Sequence, residues 1–274
     1  MTETELTVTA GRAGTQYWRD VWRFRGLFYF LTWRDILVRY KQTLLGASWA
    51  LIRPLLTMVV FTVVFGGLAG LPSGGVAYPV MVFAALLPWQ LFASGLTECG
   101  TSLQRNVNLV SKVYFPRLIV PLSAVMVSLV DFVIAFVVFA GMMAWYGIVP
   151  GMKMVFLPLF LLLALLCALG LGLWLAALNV KYRDVQMLIP YVVQVGLFAS
   201  PVGYASDIVP VQWRSLYSLN PMVGVIDGFR WALGTSAGEP YWASVALSFL
   251  IAALLFASGV WYFRRMERTF ADVI

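Results

Sequence analysis

Histidine is absent from this 274-residue chain, cysteine occurs twice, and charged residues make up only 11%. Each shortage removes a class of function. Without histidine, neither a Ser-His-Asp nor a Cys-His catalytic arrangement can be built, and metal-ligand clusters lose their commonest donor. Cys99 and Cys167 lie in or beside apolar runs, which suits small residues in helix packing better than a disulfide framework. No G-x-x-x-x-G-K-[ST] phosphate loop occurs, so the chain does not cradle a nucleotide in that manner. Carboxylates paired for acid–base work inside the apolar runs are missing as well. No catalytic residue, metal site, cofactor or nucleic-acid partner is expected.

The charge shortage decides the class. Soluble domains carry about a quarter charged residues. Here 61% of residues are hydrophobic and mean hydropathy is +0.86. A bilayer accommodates that much apolar surface and water does not. The expectation is an all-α integral membrane protein forming one domain over residues 1–274. Residues 1–48 would form a cytoplasmic or interfacial segment, 49–263 a six-span bundle and 264–274 a cytoplasmic tail. A span needs about 20 apolar residues. The candidates are residues 49–69, 78–96, 118–146, 154–178, 185–204 and 242–263, the fifth weakened by Pro190 and Pro201. The polar first 14 residues lead into no cleavable apolar core, so no removable signal peptide is expected.

Orientation follows from the cations, which concentrate on the cytoplasmic side. Sixteen of the 19 Lys and Arg residues fall in segments that six spans place together. They include Arg12 to Arg53 before or within the start of the first span, Arg105, Lys112 and Arg117, Lys181 and Arg183, and Arg264, Arg265 and Arg268. Lys153, Arg214 and Arg230 fall on the other side. Both termini are therefore expected in the cytoplasm.

Four local patterns refine the picture. Tyr17, Val21, Phe24, Phe28 and Leu31 recur at spacings of three and four, with Arg19 and Arg23 off the stripe. This reads as an amphipathic helix on the membrane surface, the alternative being a helix packed on the domain itself. Residues 205–241 contain Trp213, Tyr217, Trp231 and three prolines. They are too broken to span and too apolar to float free, so short re-entrant helices on the outer side are expected. Ala168, Gly172 and Ala176 repeat every fourth residue, a spacing that lets helix backbones approach closely. Asp131 is an ionisable residue deep in a span; without a second titratable group in a neighbouring span, a structural hydrogen bond suits it better than a proton relay.

Six stretches carry a resemblance. They are Trp33-Arg34-Asp35 with Arg39-Tyr40-Lys41-Gln42, Leu45-Gly46, Trp49 and Pro54; Leu87-Pro88-Trp89-Gln90-Leu91-Phe92; NVNLVSKVYFPRLIVP from Asn106 to Pro121; Leu178-Asn179-Val180-Lys181-Tyr182-Arg183-Asp184; Ser200-Pro201-Val202; and Asn220-Pro221-Met222 with Phe229-Arg230. In this order and at these membrane depths, the chain resembles the permease subunits of type-2 ABC exporters of O-antigen, teichoic acid and capsular polysaccharide. The resemblance covers about residues 17 to 265. It implies a homodimer in the inner membrane, paired with two copies of a separate ATPase and moving an undecaprenyl-linked glycan. It also implies that the turn from Arg105 to Arg117 docks on the ATPase, through Val107, Asn108, Leu109, Lys112, Tyr114 and Phe115.

The residues of that turn agree: a short basic and aromatic segment bounded by Pro116 suits docking, although a plain positive-inside loop has the same charge. In the fifth span Tyr191, Gln194 and Phe198 share one helical face. An amide at membrane depth calls for protein or water beside it, so this face is a candidate translocation path, with Trp89 and Phe92 as a facing wall. Simple packing is the competing account. An exporter of small lipids or drugs would share the architecture. A membrane-embedded lipid-sugar transferase would require clustered acidic residues, and Glu98, Asp184 and Asp207 are scattered.

Overall fold

The computed structural model describes residues 14–41, 48–149, 151–182, 184–236, 238–267 and 270. Gln42, Leu45, Gly46 and Arg183 of the motifs, and the cations Arg12 and Arg268, lie outside them. Among the described residues there is no strand.

Five helical stretches are long and apolar enough to cross a bilayer: Ser48–Leu68, Tyr78–Arg105, Ile119–Trp145, Met152–Lys181 and Trp242–Met266. In chain order the helices are α1 (Gly14–Arg23), α2 (Arg25–Lys41) and α3 (Ser48–Phe61), the last running on as a π-helical turn over Thr62–Leu68. Then come α4 (Tyr78–Arg105), α5 (Val107–Lys112), α6 (Ile119–Trp145) and α7 (Leu157–Lys181). The series closes with α8 (Val185–Ala199), α9 (Val211–Tyr217), α10 (Pro221–Leu233) and α11 (Trp242–Met266).

Helix α4 is the axis of the bundle. Protein buries 78% of its apolar window, against 11% for the first span. It also runs past the expected boundary at residue 96, which puts Glu98 and Arg105 on the helix. Close approach to α7 depends on the small-residue line. A Cβ added at Gly172 would lie 2.6 Å from the Cβ of Cys99, and one added at Gly95 would lie 3.2 Å from that of Ala168. Gly170 serves the opposite face, where an added Cβ would stand 2.6 Å from the backbone of Leu255 in α11. Cys99 and Cys167 are buried, unbridged members of this packing.

The fifth crossing differs from expectation. Helix α8 has 15 residues, about 22 Å at 1.5 Å each, short of the ~30 Å hydrocarbon core. Pro201 ends it, because the residue before a proline disfavours the helical region, and Ser200 is extended (φ −111°, ψ 152°). Buried, non-helical Ser200, Pro201, Val202 and Gly203 complete the path. Ile189 lies against Gly100 near one end of α4, the Trp89 ring covers Gly196 midway, and Tyr78 Oη donates to the Gly203 carbonyl at the other end.

One further expectation changes. The stripe Tyr17, Val21, Phe24, Phe28 and Leu31 does not face lipid; it packs on Phe115, Leu118 and Phe263 of the bundle. A second set, Trp18, Trp22, Tyr29, Phe30 and Trp33, is left exposed on α1 and α2. In the 205–241 segment short helices do form, but all of α10 except Pro221 and Trp231 is buried, enclosed among α4, α7 and α11. The short helices expected before the last span are thus present, with the second packed into the bundle.

Gly170→Val therefore forces α7 and α11 apart, an overpacking cost of about 1–3 kcal/mol. Thermal unfolding of the purified protein should show a midpoint lowered by several degrees, whereas Gly141→Val, with nothing near its added side chain, leaves it unchanged.

Candidate functional site

Tyr17 Oη, near the start of the described chain, donates to Glu267 Oε2 at 2.9 Å, so α1 and the end of α11 lie at one end of the bundle. At this terminal end α2 is tied to two spans by one guanidinium. Arg39 Nη2 is 2.6 Å from Asp131 Oδ2 on α6, and Arg39 Nη1 is 3.1 Å from Glu98 Oε1 on α4. Tyr40 Oη also donates to Asp131, and Arg105 pairs with Glu98. The expectation that Asp131 has no titratable neighbour on another span is overturned: Arg39 bridges it to Glu98. Their separation in sequence, 39 against 98 and 131, concealed the arrangement.

These groups face a cavity of about 1170 Å³ enclosed by α2, α3, α4, α6 and α8. Arg34, Arg39, Arg53 and Arg105 supply cations to its walls, and Leu87, Trp89 and Leu197 supply apolar surface. Beside it, side-chain amides join the motifs. Arg34 Nη2 donates to Asn106 Oδ1 at 2.7 Å, and Asn106 Nδ2 to the Ser102 carbonyl at 2.9 Å. Gln104 Nε2 donates to Asn179 Oδ1 at 2.9 Å, and Asn179 Nδ2 to the Gly100 carbonyl at 3.0 Å. The first, third and fourth motifs thus each hold α4 near its end.

The turn from Arg105 to Arg117 contains α5. Asn108, Lys112 and Tyr114 are exposed, while Val107 and Leu109 are half-buried. The aromatic pair divides: Tyr114 is 58% exposed and Phe115 only 4%. Phe115 is therefore no docking knob; it packs with Leu31 and Leu118 and anchors the turn to the bundle. Behind it, the Arg117 backbone N–H donates to Glu267 Oε1 and its Nη1 to the Glu267 carbonyl, both at 2.8 Å. Burial raises the Glu267 pKa, opposed by the Arg117 N–H and the Tyr17 hydroxyl that bond the carboxylate. The clamp joins α1, the turn and the end of α11.

On α8, Tyr191, Gln194 and Phe198 share an exposed face, with the Phe198 ring 6.2 Å from that of Phe61. Trp89 and Phe92 do not face it. Both are buried, their rings 5.3 Å apart, and Trp89 covers Gly196 on the far side of the helix. Helical spacing had found the stripe; which neighbour it met depended on the close approach at Gly196.

At the other end of the bundle, the break after α8 is sealed by the last two motifs. Asn220 Nδ2 donates to Ser200 Oγ at 2.9 Å and to the Ala199 carbonyl at 3.2 Å, while its Oδ1 caps α10 by accepting from Met222 N. Arg230, 4% exposed, donates to the carbonyls of Met81, Val202 and Tyr204 at 3.1, 3.0 and 2.9 Å.

Over residues 26–234 the sequence matches the ABC-2 type transporter family. The chain belongs to that family. It is 31% identical over 263 residues to the O-antigen export system permease protein RfbA of Myxococcus xanthus, covering 93% of this chain and 98% of that one. It is 26% identical over 249 residues to the RfbA permease of Klebsiella pneumoniae, covering 90% and 95%. Against the polysialic acid transport protein KpsM of Escherichia coli it is 23% identical over 207 residues, covering 73% and 78%. As in other ABC-2 permeases, the multi-pass bundle belongs in a lipid bilayer with an ABC ATPase as partner.

Arg39→Ala leaves the Asp131 and Glu98 carboxylates without their shared counter-charge. Backbone amides of α2 should then exchange hydrogen about tenfold faster, equivalent to about 1.4 kcal/mol, with α10 amides unaffected. Unchanged exchange in α2 would show that the guanidinium does not hold the helix.

Proposed function

We propose that the chain is the transmembrane subunit of an ABC exporter that moves a lipid-linked polysaccharide, of O-antigen or related type, across the inner membrane. The observation that carries this reading is similarity along nearly the whole length of two O-antigen export permeases, with 95% and 98% of their chains matched. The pump would consist of two copies of this chain and two copies of a separate ATPase, with both termini cytoplasmic.

The geometry supports the reading in three places. The terminal-end cavity of about 1170 Å³ has apolar walls beside Arg34, Arg39 and Arg105, which Asp35, Glu98 and Asp131 already pair, so Arg53 is the cation left to meet the diphosphate headgroup of a polyprenyl-linked glycan. Arg53 is exposed there, and among the described residues no carboxylate forms an ion pair with it. The exposed part of the turn, Asn108, Lys112 and Tyr114 with the half-buried Val107 and Leu109, is the ATPase-docking surface in this reading. The α8 face of Tyr191, Gln194 and Phe198 supplies the path, its aromatic rings allowing sugars to slide and its amide bonding water or hydroxyls.

Two measurements test this. Deleting the gene should remove the surface polysaccharide and leave its lipid-linked precursor inside the cell; a normal surface coat would refute the function. Tyr114→Ala should preserve the thermal midpoint while reducing export per ATP hydrolysed severalfold. Phe115→Ala should instead cost about 3–5 kcal/mol of stability, as a buried aromatic does. Tyr114→Ala with unchanged coupling would remove the turn from the ATPase interface.

A further inference from the structure

The end of the bundle remote from α1 and the end of α11 holds a second cavity, of about 500 Å³, within the range of about 300–1,000 Å³ common to ligand sites. Its walls come from the loop at 72–74, the start of α4, α9, α10 and the start of α11. Asp227 on α10 is 9% exposed and lines it. The Ser206 hydroxyl bonds this carboxylate and the Arg230 guanidinium attracts it, but among the described residues no cation stands within ion-pair distance of it. Arg230 is its neighbour on the helix, and that guanidinium is committed to three backbone carbonyls. Ser244, 2% exposed at the start of α11, also lines the cavity, and its Oγ has no hydrogen-bond partner. A buried carboxylate with spare acceptor capacity and an unpaired buried hydroxyl both cost stability unless something supplies their missing bonds.

The lining narrows what that something is. Asp207, Asp227 and Glu239 face the cavity together with Arg214 and Arg230, so neither sign of charge dominates. The guanidiniums disfavour a metal cation and the carboxylates disfavour a phosphate. A neutral ligand rich in hydroxyls satisfies both, since each hydroxyl donates to a carboxylate and accepts from a guanidinium or serine. Tyr217 and Tyr241 add rings, and Met81 and Val223 add apolar surface, against which the C–H face of a pyranose can lie.

We propose that this remote cavity is a binding site for a neutral pyranose segment, with Asp227 and Ser244 as its hydrogen-bonding partners and Tyr241 as its stacking platform. The proposal deepens the export reading and rests on it: a growing or emerging glycan would be held weakly on the exit side as it leaves the membrane. Affinity is expected in the millimolar range, because a half-open pocket with few partners retains a chain without trapping it.

The test uses the full chain in lipid nanodiscs and saturation-transfer NMR with methyl glycosides of neutral hexoses and 6-deoxyhexoses as probes, and inorganic phosphate and sorbitol as competitors. Saturation should reach the pyranose ring protons, and neither competitor should displace them. Asp227→Asn should lower affinity about tenfold, the loss expected for a hydrogen bond to a charged group. Tyr241→Ala should do likewise and guards against misfolding of the first variant, because its ring is half exposed and packs no core. No transfer to any glycoside, displacement by phosphate, or transfer undiminished in both variants would each overturn the site. Glycan export is measured separately, so an intact surface coat alongside absent sugar binding sinks the cavity proposal and leaves the export function standing.

Discussion

Lipid offers no hydrogen bonds, so every backbone group at membrane depth has to be satisfied by protein. That constraint is sharpest where α8 stops after 15 residues and the crossing continues as Ser200-Pro201-Val202-Gly203. The solution is local and costly. Arg230 is enclosed, which for a lone guanidinium carries a desolvation penalty of several kcal/mol, and three carbonyls, one from α4 and two from the segment after α8, offset it. Asn220 closes the end of α8 and opens α10 with the same side chain. These two residues can reach the break only if α10 is drawn into the bundle. The inward fold of residues 205–241, and the cavity left between α9, α10 and α11, follow from that requirement.

The opposite end obeys a different rule. Polar side chains there are paired with one another, and they join helices instead of mending backbone. Arg39 holds α2 to α4 and α6; Asn179 and Asn106 hold α7 and α2 to the last turns of α4. The motifs that mark the family are thus mostly joints. Their scatter along the sequence reflects how far apart in the chain the joined helices lie.

What could be read from the sequence divides along the same line. The first, third, fourth and sixth spans were legible because each is a long apolar run, and burial needs no partner to be named. The small-residue line at Ala168, Gly172 and Ala176 was legible because spacing alone implies close approach. The end of the second span was misjudged because Glu98, Arg105 and Gln104 made the last turns of α4 look like loop, when their partners on α2 and α7 keep them helical. Likewise, Tyr114 and Phe115 are adjacent and chemically alike, yet the chain around Pro116 turns one outward and the other into the core. The stripe on α1 and α2 was recognised, but which of two apolar faces met lipid depended on Phe115, Leu118 and Phe263, more than 80 residues away.

The distribution of these joints bears on how a push at the turn would travel. Phe115 fixes the turn to the core beneath α2, and Glu267 fixes the same turn to α1 and to the end of α11. A close-packed core passes displacement on without absorbing it. In the proposed reading, force delivered to Asn108, Lys112 or Tyr114 would move α1, α2, α6 and α11 as a unit. Helix α8 is outside that clamp. It meets α4 through Ile189 and Gly196 and is fastened at its far end by Asn220. The rigid group and α8 border the same arginine-lined cavity, so relative motion between them changes its width. In the proposed reading one wall would be driven by the ATPase and the other held by Asn220 at the far end of α8, with the cavity between them.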